Sequence, residues 1–264
     1  MQYVWGLTSK AGLRPVSWLS AYYTDTYFCF DVRKQPGVRG HVALTIDDGL
    51  CRQRDAGQSM ADEVGDLLKQ HGANATFFVC SDYVREPRLE GQARRLVADG
   101  NELGNHCAKD REYASLSADD FGQVFSEANG TLTALLGEGD RVRWFRAPQG
   151  RYTRAMRDSV ERAGMQHALG DAYCDDWMQG SDPEWIARTL LNQLRDGSIV
   201  IIHMPERGFR QWLYRALQLL LEGLAARGLR AVTLSRLASL AEQESAAVSS
   251  PPPSPPQGYD GADG

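Results

Sequence analysis

No stretch of the 264 residues stays apolar for anything near the roughly 20 positions that cross a bilayer, so no membrane-spanning helix is expected. Nor does the chain open on basic residues: Met1-Gln2-Tyr3-Val4 lacks the charged start of a secretory leader. Two compartments stay open, the cytosol or, for a chain shortened at its start, the exterior. Basic blocks are missing too. The 29 Lys and Arg are interspersed among 34 Asp and Glu for a net charge of −5, which gives no support to a nucleic-acid surface. Cysteine is scarce and unpatterned. Cys29, Cys51, Cys80, Cys107 and Cys174 are odd in number, widely spread and without a C-x-x-C pair, so they make no disulfide framework. At least one thiol stays free unless it pairs between chains. Nothing in the sequence points to a protein partner.

What is present is length and rhythm. A chain of 264 residues buries a large core and suits a single α/β barrel. Short apolar runs at 42–47, 75–80, 102–106, 144–148, 167–170, 198–204 and 230–234 alternate with segments of helical period at 60–71, 116–136, 154–163, 183–194 and 212–226. Alternation of this kind argues for a parallel sheet, and about seven units favour a closed or nearly closed barrel over an open doubly wound sheet. Three parts are expected. Residues 1–40 form an aromatic segment packed on the barrel, 41–243 the barrel domain, and 244–264 a Pro/Ser/Gly-rich disordered tail that includes Ser249-Ser250-Pro251-Pro252-Pro253.

In such a barrel the chemistry collects at the C-terminal ends of the strands. Those ends carry Asp47 and Asp48, His106, Arg146, Asp175 and Asp176, and His203. Singly each has a plain explanation: His106 caps a strand, Arg146 is a surface charge, His203 is a satisfied core histidine. Together they are hard to explain independently. Two adjacent carboxylates repel unless a cation or a proton sits between them. If the chain turns helical after His106, Asp110 shares its face at i, i+4 and, with Asp48, makes a triad of two carboxylates and one imidazole. Mixed N/O ligation suits Zn²⁺, and also Mn²⁺, Co²⁺ or Fe²⁺. Two carboxylates neutralise a divalent ion and shift the preference from Zn²⁺ toward Mn²⁺ or Co²⁺. Cys107 and Cys51 are rival ligands, the first expected to face away from His106, the second left open.

These residues resemble a family. Thr45-Ile46-Asp47-Asp48-Gly49 looks like the T-[FI]-D-D-G motif of the NodB-homology polysaccharide deacetylases, carbohydrate esterase family four. His106 through Asp110 is similar to its H-[ST]-x-x-H motif, Arg146-Ala147-Pro148-Gln149-Gly150 to R-x-P-[YF]-G, Asp176-Trp177 to D-W and Ile201-Ile202-His203 to L-x-H. The resemblance implies a distorted (β/α) barrel and a divalent metal, Zn²⁺ foremost. Asp47 would be the general base with Arg146 holding it ionised, and Asp48, His106 and Asp110 the metal ligands. Asp176 would orient the general acid His203, the Gln149 amide would stabilise an oxyanion, and Gln149, Gly150, Tyr152 and Trp177 would contact the sugar. The sequence departs where Asp110 replaces a histidine, Gln149 an aromatic and Tyr173 an acid; some members carry Asp at the first place. The activity implied is removal of acetyl groups from N-acetylated amino sugars of chitin or peptidoglycan type. Alternatives are an O-acetyl esterase of xylan type, a cyclic-amide hydrolase, and a non-catalytic carbohydrate-binding relative.

Overall fold

The computed structural model describes residues 25–178 and 182–248. Its strands are β1 (Thr26–Tyr27), β2 (His41–Gly49), β3 (Thr76–Val79), β4 (Glu102–Asn105), β5 (Trp144–Phe145), β6 (Gln166–Ala168), β7 (Ile199–His203) and β8 (Arg230–Val232). Its α-helices are α1 (Ala61–Gln70), α2 (Pro87–Ala98), α3 (Ala118–Thr133), α4 (Arg154–Arg162), α5 (Pro183–Gln193), α6 (Trp212–Ala226) and α7 (Leu234–Val248). All the strand pairs are parallel, in the order β1-β6-β5-β4-β3-β2-β7, with β8 also on β2. Beyond β6, Ala172 bridges Val200, and its carbonyl accepts the Ile201 amide at 2.9 Å, so the ring closes on β7.

The expected α/β barrel is therefore the fold, and each of the seven apolar runs holds a strand. The eighth strand, β1, lies inside the segment expected only to pack on the barrel; two residues are too few to show a period. Helix α2 falls outside the helical segments read from the sequence, because Arg88, Glu90, Arg94 and Arg95 flank a narrow apolar stripe. It buries Leu89, Ala93 and Leu96 along one face, and Glu86 caps it by accepting the Arg88 and Leu89 amides at 3.2 Å. Helix α7 runs through Val248, past residue 243, where the tail was expected to begin. Residues 1–24 and 249–264, with most of that tail, lie outside the described residues.

Alternation along β2 separates two apolar layers. Val42, Leu44 and Ile46 join Phe77, Val79, Val200 and Ile202 beneath the helices. Ala43 joins Phe78, Trp144, Ala168 and Ile199, where Leu234, Leu237 and Ala241 of α7 and Phe30 and Val38 of the N-terminal segment also pack. Trp144 Nε1 donates to Ser235 Oγ at 2.8 Å and ties α7 to that layer. Among the described residues no helix is long and apolar enough to cross a membrane.

Candidate active site

Two adjacent carboxylates enter one cleft because β2 breaks its own alternation. Between Ile46 and Gly49 its register against β3 gains a residue, and Asp48 takes a left-handed backbone, φ 60°. Asp47 stays in register and lies directly opposite His203 of β7.

Asp47 is held by a buried guanidinium. Arg146 Nη1 donates to Asp47 Oδ1 at 2.6 Å and to Thr45 Oγ1 at 2.7 Å, while Nε and Nη2 donate to the Ala168 and Leu169 carbonyls at 3.0 Å. Thr45 spends its own proton on the Val200 carbonyl, which leaves its oxygen an acceptor. Arg146 lies over the Phe78 ring at 4.0 Å. Burial pulls its pKa below the usual arginine value, and the Asp47 charge and hydrogen bond offset only part of that.

His203 is held by a buried carboxylate. Asp176 Oδ1 accepts from His203 Nδ1 at 2.7 Å, and Oδ2 accepts the His203 amide at 2.8 Å. Burial is the largest single influence and works against a charged imidazole, but the charge and hydrogen bond of Asp176, together with the Asp48 charge, outweigh it and raise the pKa to about 9. His203 is therefore an imidazolium at neutral pH, with Nε2–H the proton left to give.

Asp48, His106 and Asp110 form the third group. One ligand atom from each lies within 4.8 Å of the others, and Nε2 of His106 is 3.7 Å from Asp48 Oδ1. His106 Nδ1 meets the Arg146 carbonyl at 2.7 Å. A carbonyl only accepts, so Nδ1 is the donor there and Nε2 is the nitrogen turned toward Asp48. The Asp110 carboxyl is pushed up by burial and by the neighbouring Asp48 charge. An imidazole and two close carboxylates are the donors that a divalent cation fits.

Asp110 arrives by a route other than the one expected. The chain after His106 is bends, not helix. Cys107 turns left-handed, φ 59°, with its amide on Asn105 Oδ1 at 2.8 Å. The hydroxyls of Tyr113 and Tyr83 then accept the Lys109 and Asp110 amides at 3.1 and 3.2 Å. Neither rival cysteine joins the group. The Cys51 thiol donates to Glu206 at 3.2 Å and, through burial and that carboxylate, is pushed up to about 11; buried Cys107 is pushed up as well.

The remaining expected residues rim the cleft or support it. Gln149 is left-handed, φ 57°, and its amide finds no acceptor among the described residues. Gln149 and Gly150 are exposed. Tyr152 stacks on buried His167, centroids 3.7 Å apart and planes 8° apart, so its ring is committed to packing. Trp177 is 46% exposed next to Asp176, with Nε1 on the Tyr173 hydroxyl at 3.4 Å. Asp175 is buried and accepts from that hydroxyl at 3.2 Å. Sequence reasoning missed Arg210, whose Nη1 donates to Asp48 Oδ2 at 2.6 Å. No periodicity marks it; only its place a few residues after His203 associates it with the site.

The family model described as polysaccharide deacetylase matches residues 34–168. A chitooligosaccharide deacetylase of Sinorhizobium fredii is 30% identical over 198 residues, 71% of this chain and 86% of its own. Among solved structures, an acetyl xylan esterase of Clostridium thermocellum in complex with cobalt has a TM-score of 0.66 at 26% identity, over 76% of this chain and 91% of its own. A pseudoenzyme of carbohydrate esterase family four from Bacillus anthracis has a TM-score of 0.67 at 20% identity, over 80% and 68%, a likeness of fold alone.

Proposed function

Because this chain belongs to the polysaccharide deacetylase family, we propose that it is a metal-dependent hydrolase that removes acetyl groups from N-acetylated amino sugars of chitin or peptidoglycan type. The observation that carries this reading is a pair facing each other in register. A carboxylate held by Arg146 lies opposite an imidazolium held by Asp176, beside three groups that suit a cation. A binding module has no need of a base and an acid so supported, which argues against the non-catalytic alternative.

Asp48, His106 and Asp110 would hold the ion, Zn²⁺ foremost and Mn²⁺ or Co²⁺ next. The ion supplies Lewis acidity toward the acetyl carbonyl and the attacking water. Asp47, held in place by Arg146, takes the water's proton. The carbonyl oxygen, as it gains charge, is met by the Gln149 N–H, for which no acceptor among the described residues competes. The leaving amine needs a proton because an amide anion departs poorly, and His203 Nε2–H supplies it. Exposed Trp177 offers the sugar ring an apolar face. An ester leaves with less help, so O-acetyl glycans form the second reading.

Two results test this. Chelation should abolish acetate release from chitin oligomers or peptidoglycan, and added Zn²⁺, Mn²⁺ or Co²⁺ should restore it; full activity in a metal-free preparation would sink the mechanism. Acetylxylan in the same panel separates the ester reading. Asp110→Ala should weaken metal affinity by at least the roughly 10- to 100-fold that losing an outer-sphere partner costs. An alanine variant that binds the ion as tightly as wild type removes Asp110 from the ligands.

A further inference from the structure

Asp48 divides its two oxygens. Oδ1 lies 3.7 Å from His106 Nε2, and Oδ2 takes Arg210 Nη1 at 2.6 Å. Both partners are buried, Arg210 at 6% exposure, so solvent barely screens the pair. The segment that delivers Arg210 is braced on the loop that follows Asp48. Glu206 and Phe209 exchange amide-to-carbonyl hydrogen bonds at 3.0 and 3.1 Å, closing a tight turn. The Glu206 carboxylate accepts the Arg52 and Gln53 amides at 2.9 and 3.4 Å and the Cys51 thiol, fastening that turn to residues 51–53. Arg210 then takes a left-handed φ of 56° and lies over the Phe209 ring at 4.8 Å. A side chain of this size held in that region is strained, and such strain persists where the surroundings over-determine it.

We propose that Arg210 is a positioning residue of the metal centre: by occupying Asp48 Oδ2 it leaves the ion one oxygen of Asp48, and its buried charge offsets the second carboxylate, Asp110. The inference rests on the reading that Asp48, His106 and Asp110 hold a divalent ion. Two carboxylates and a neutral imidazole cancel the charge of such an ion and blunt its Lewis acidity. A buried guanidinium on one of the carboxylates withdraws charge from that ligand and keeps the centre electropositive. The same guanidinium repels the cation. Its removal should therefore tighten binding and slow turnover, a combination that mere structural damage does not give.

The experiment compares wild type, Arg210→Gln and Arg210→Lys loaded with Co²⁺, whose visible absorption weakens as its coordination number rises. Arg210→Gln is expected to bind Co²⁺ about threefold or more tightly. Its absorption should weaken as Asp48 engages through both oxygens, and kcat should fall about tenfold or more. Arg210→Lys keeps the charge, so its Kd should match wild type and part of kcat should return. An Arg210→Gln protein with wild-type Co²⁺ affinity and spectrum, or with weaker binding, overturns the role. If that variant does not fold, Arg210→Lys decides, and weakened Co²⁺ binding there overturns it. Asp48→Asn, run alongside, separates the two readings. Wild-type Co²⁺ affinity in Asp48→Asn means the metal site itself was misread, whereas loss there with unchanged Arg210 variants isolates the failure to Arg210.

Discussion

Replacing Asp47 with asparagine is expected to lower deacetylation by about a hundredfold or more, the scale of losing a positioned general base. Asparagine keeps the shape and an acceptor for Arg146 Nη1, now 2.6 Å from Asp47 Oδ1, but takes no proton at working pH. Metal content should not change, because Asp47 stands outside the Asp48, His106 and Asp110 group. The variant also leaves the Arg146 charge uncompensated at a fully buried position, so its Tm should drop. Rates are therefore measured well below that Tm, with metal analysis on the same sample. Near-wild-type turnover would make Asp47 structural and move the base elsewhere.

Asp176→Asn should cost turnover on N-acetyl substrates on the order of a hundredfold at pH 8 and move the alkaline limb of the rate profile to lower pH. Burial disfavours the His203 cation, and the Asp176 charge is the largest force holding its pKa up near 9. Without that charge the proton leaves earlier and the acid is missing at mildly basic pH. An aryl acetate, whose leaving group needs little protonation, should lose far less. Stability carries the same signature. A histidine whose pKa is raised on folding stabilises the native state fully below its unfolded value, near 6.5, and that contribution is lost as pH rises through about 9. Metal-free wild type should lose Tm across this window and metal-free Asp176→Asn should not. A profile unmoved by the substitution would separate Asp176 from the proton on His203.

Strand β2 was legible because it is buried on both faces and reads as a near-continuous apolar run ending in two acids. Asp47, His106, Arg146 and His203 lie in or directly after the ends of their strands, whereas Asp176 lies in a turn well beyond β6. Backbone conformation was not legible. Asp48, Cys107, Gln149 and Arg210 are left-handed, four of the five such non-glycine residues among those described, and no side-chain pattern announces that. Asp110 shows the consequence: helical spacing was expected to bring it beside His106, whereas a left-handed Cys107 and two tyrosine hydroxyls do so in the molecule. Arg210 was invisible because its partner lies 162 residues away and its loop has no period. Helix α7 was not among the segments of helical period, and residues 244–248 of it were assigned to the tail because they adjoin the proline-rich stretch.

Strand β2 also fixes an order of assembly. Its early partner β3 follows closely in the chain, but β7 and β8 come from the last third, and Thr45 and its acceptor Val200 are 155 residues apart. At a synthesis rate of about 5–20 residues per second, β2 waits roughly ten to thirty seconds for the strand that brings His203 opposite Asp47. Throughout that interval one edge of an apolar strand is unpaired, and Asp48 lacks the cation of Arg210. Contacts of such long sequence separation also make closure of the ring slow once the chain is complete. A chain released before Ile199 would thus be more than an inactive fragment. It would keep a sticky, half-paired strand exposed, which makes the ribosome's passage through the β7 codons the step that separates folding from aggregation.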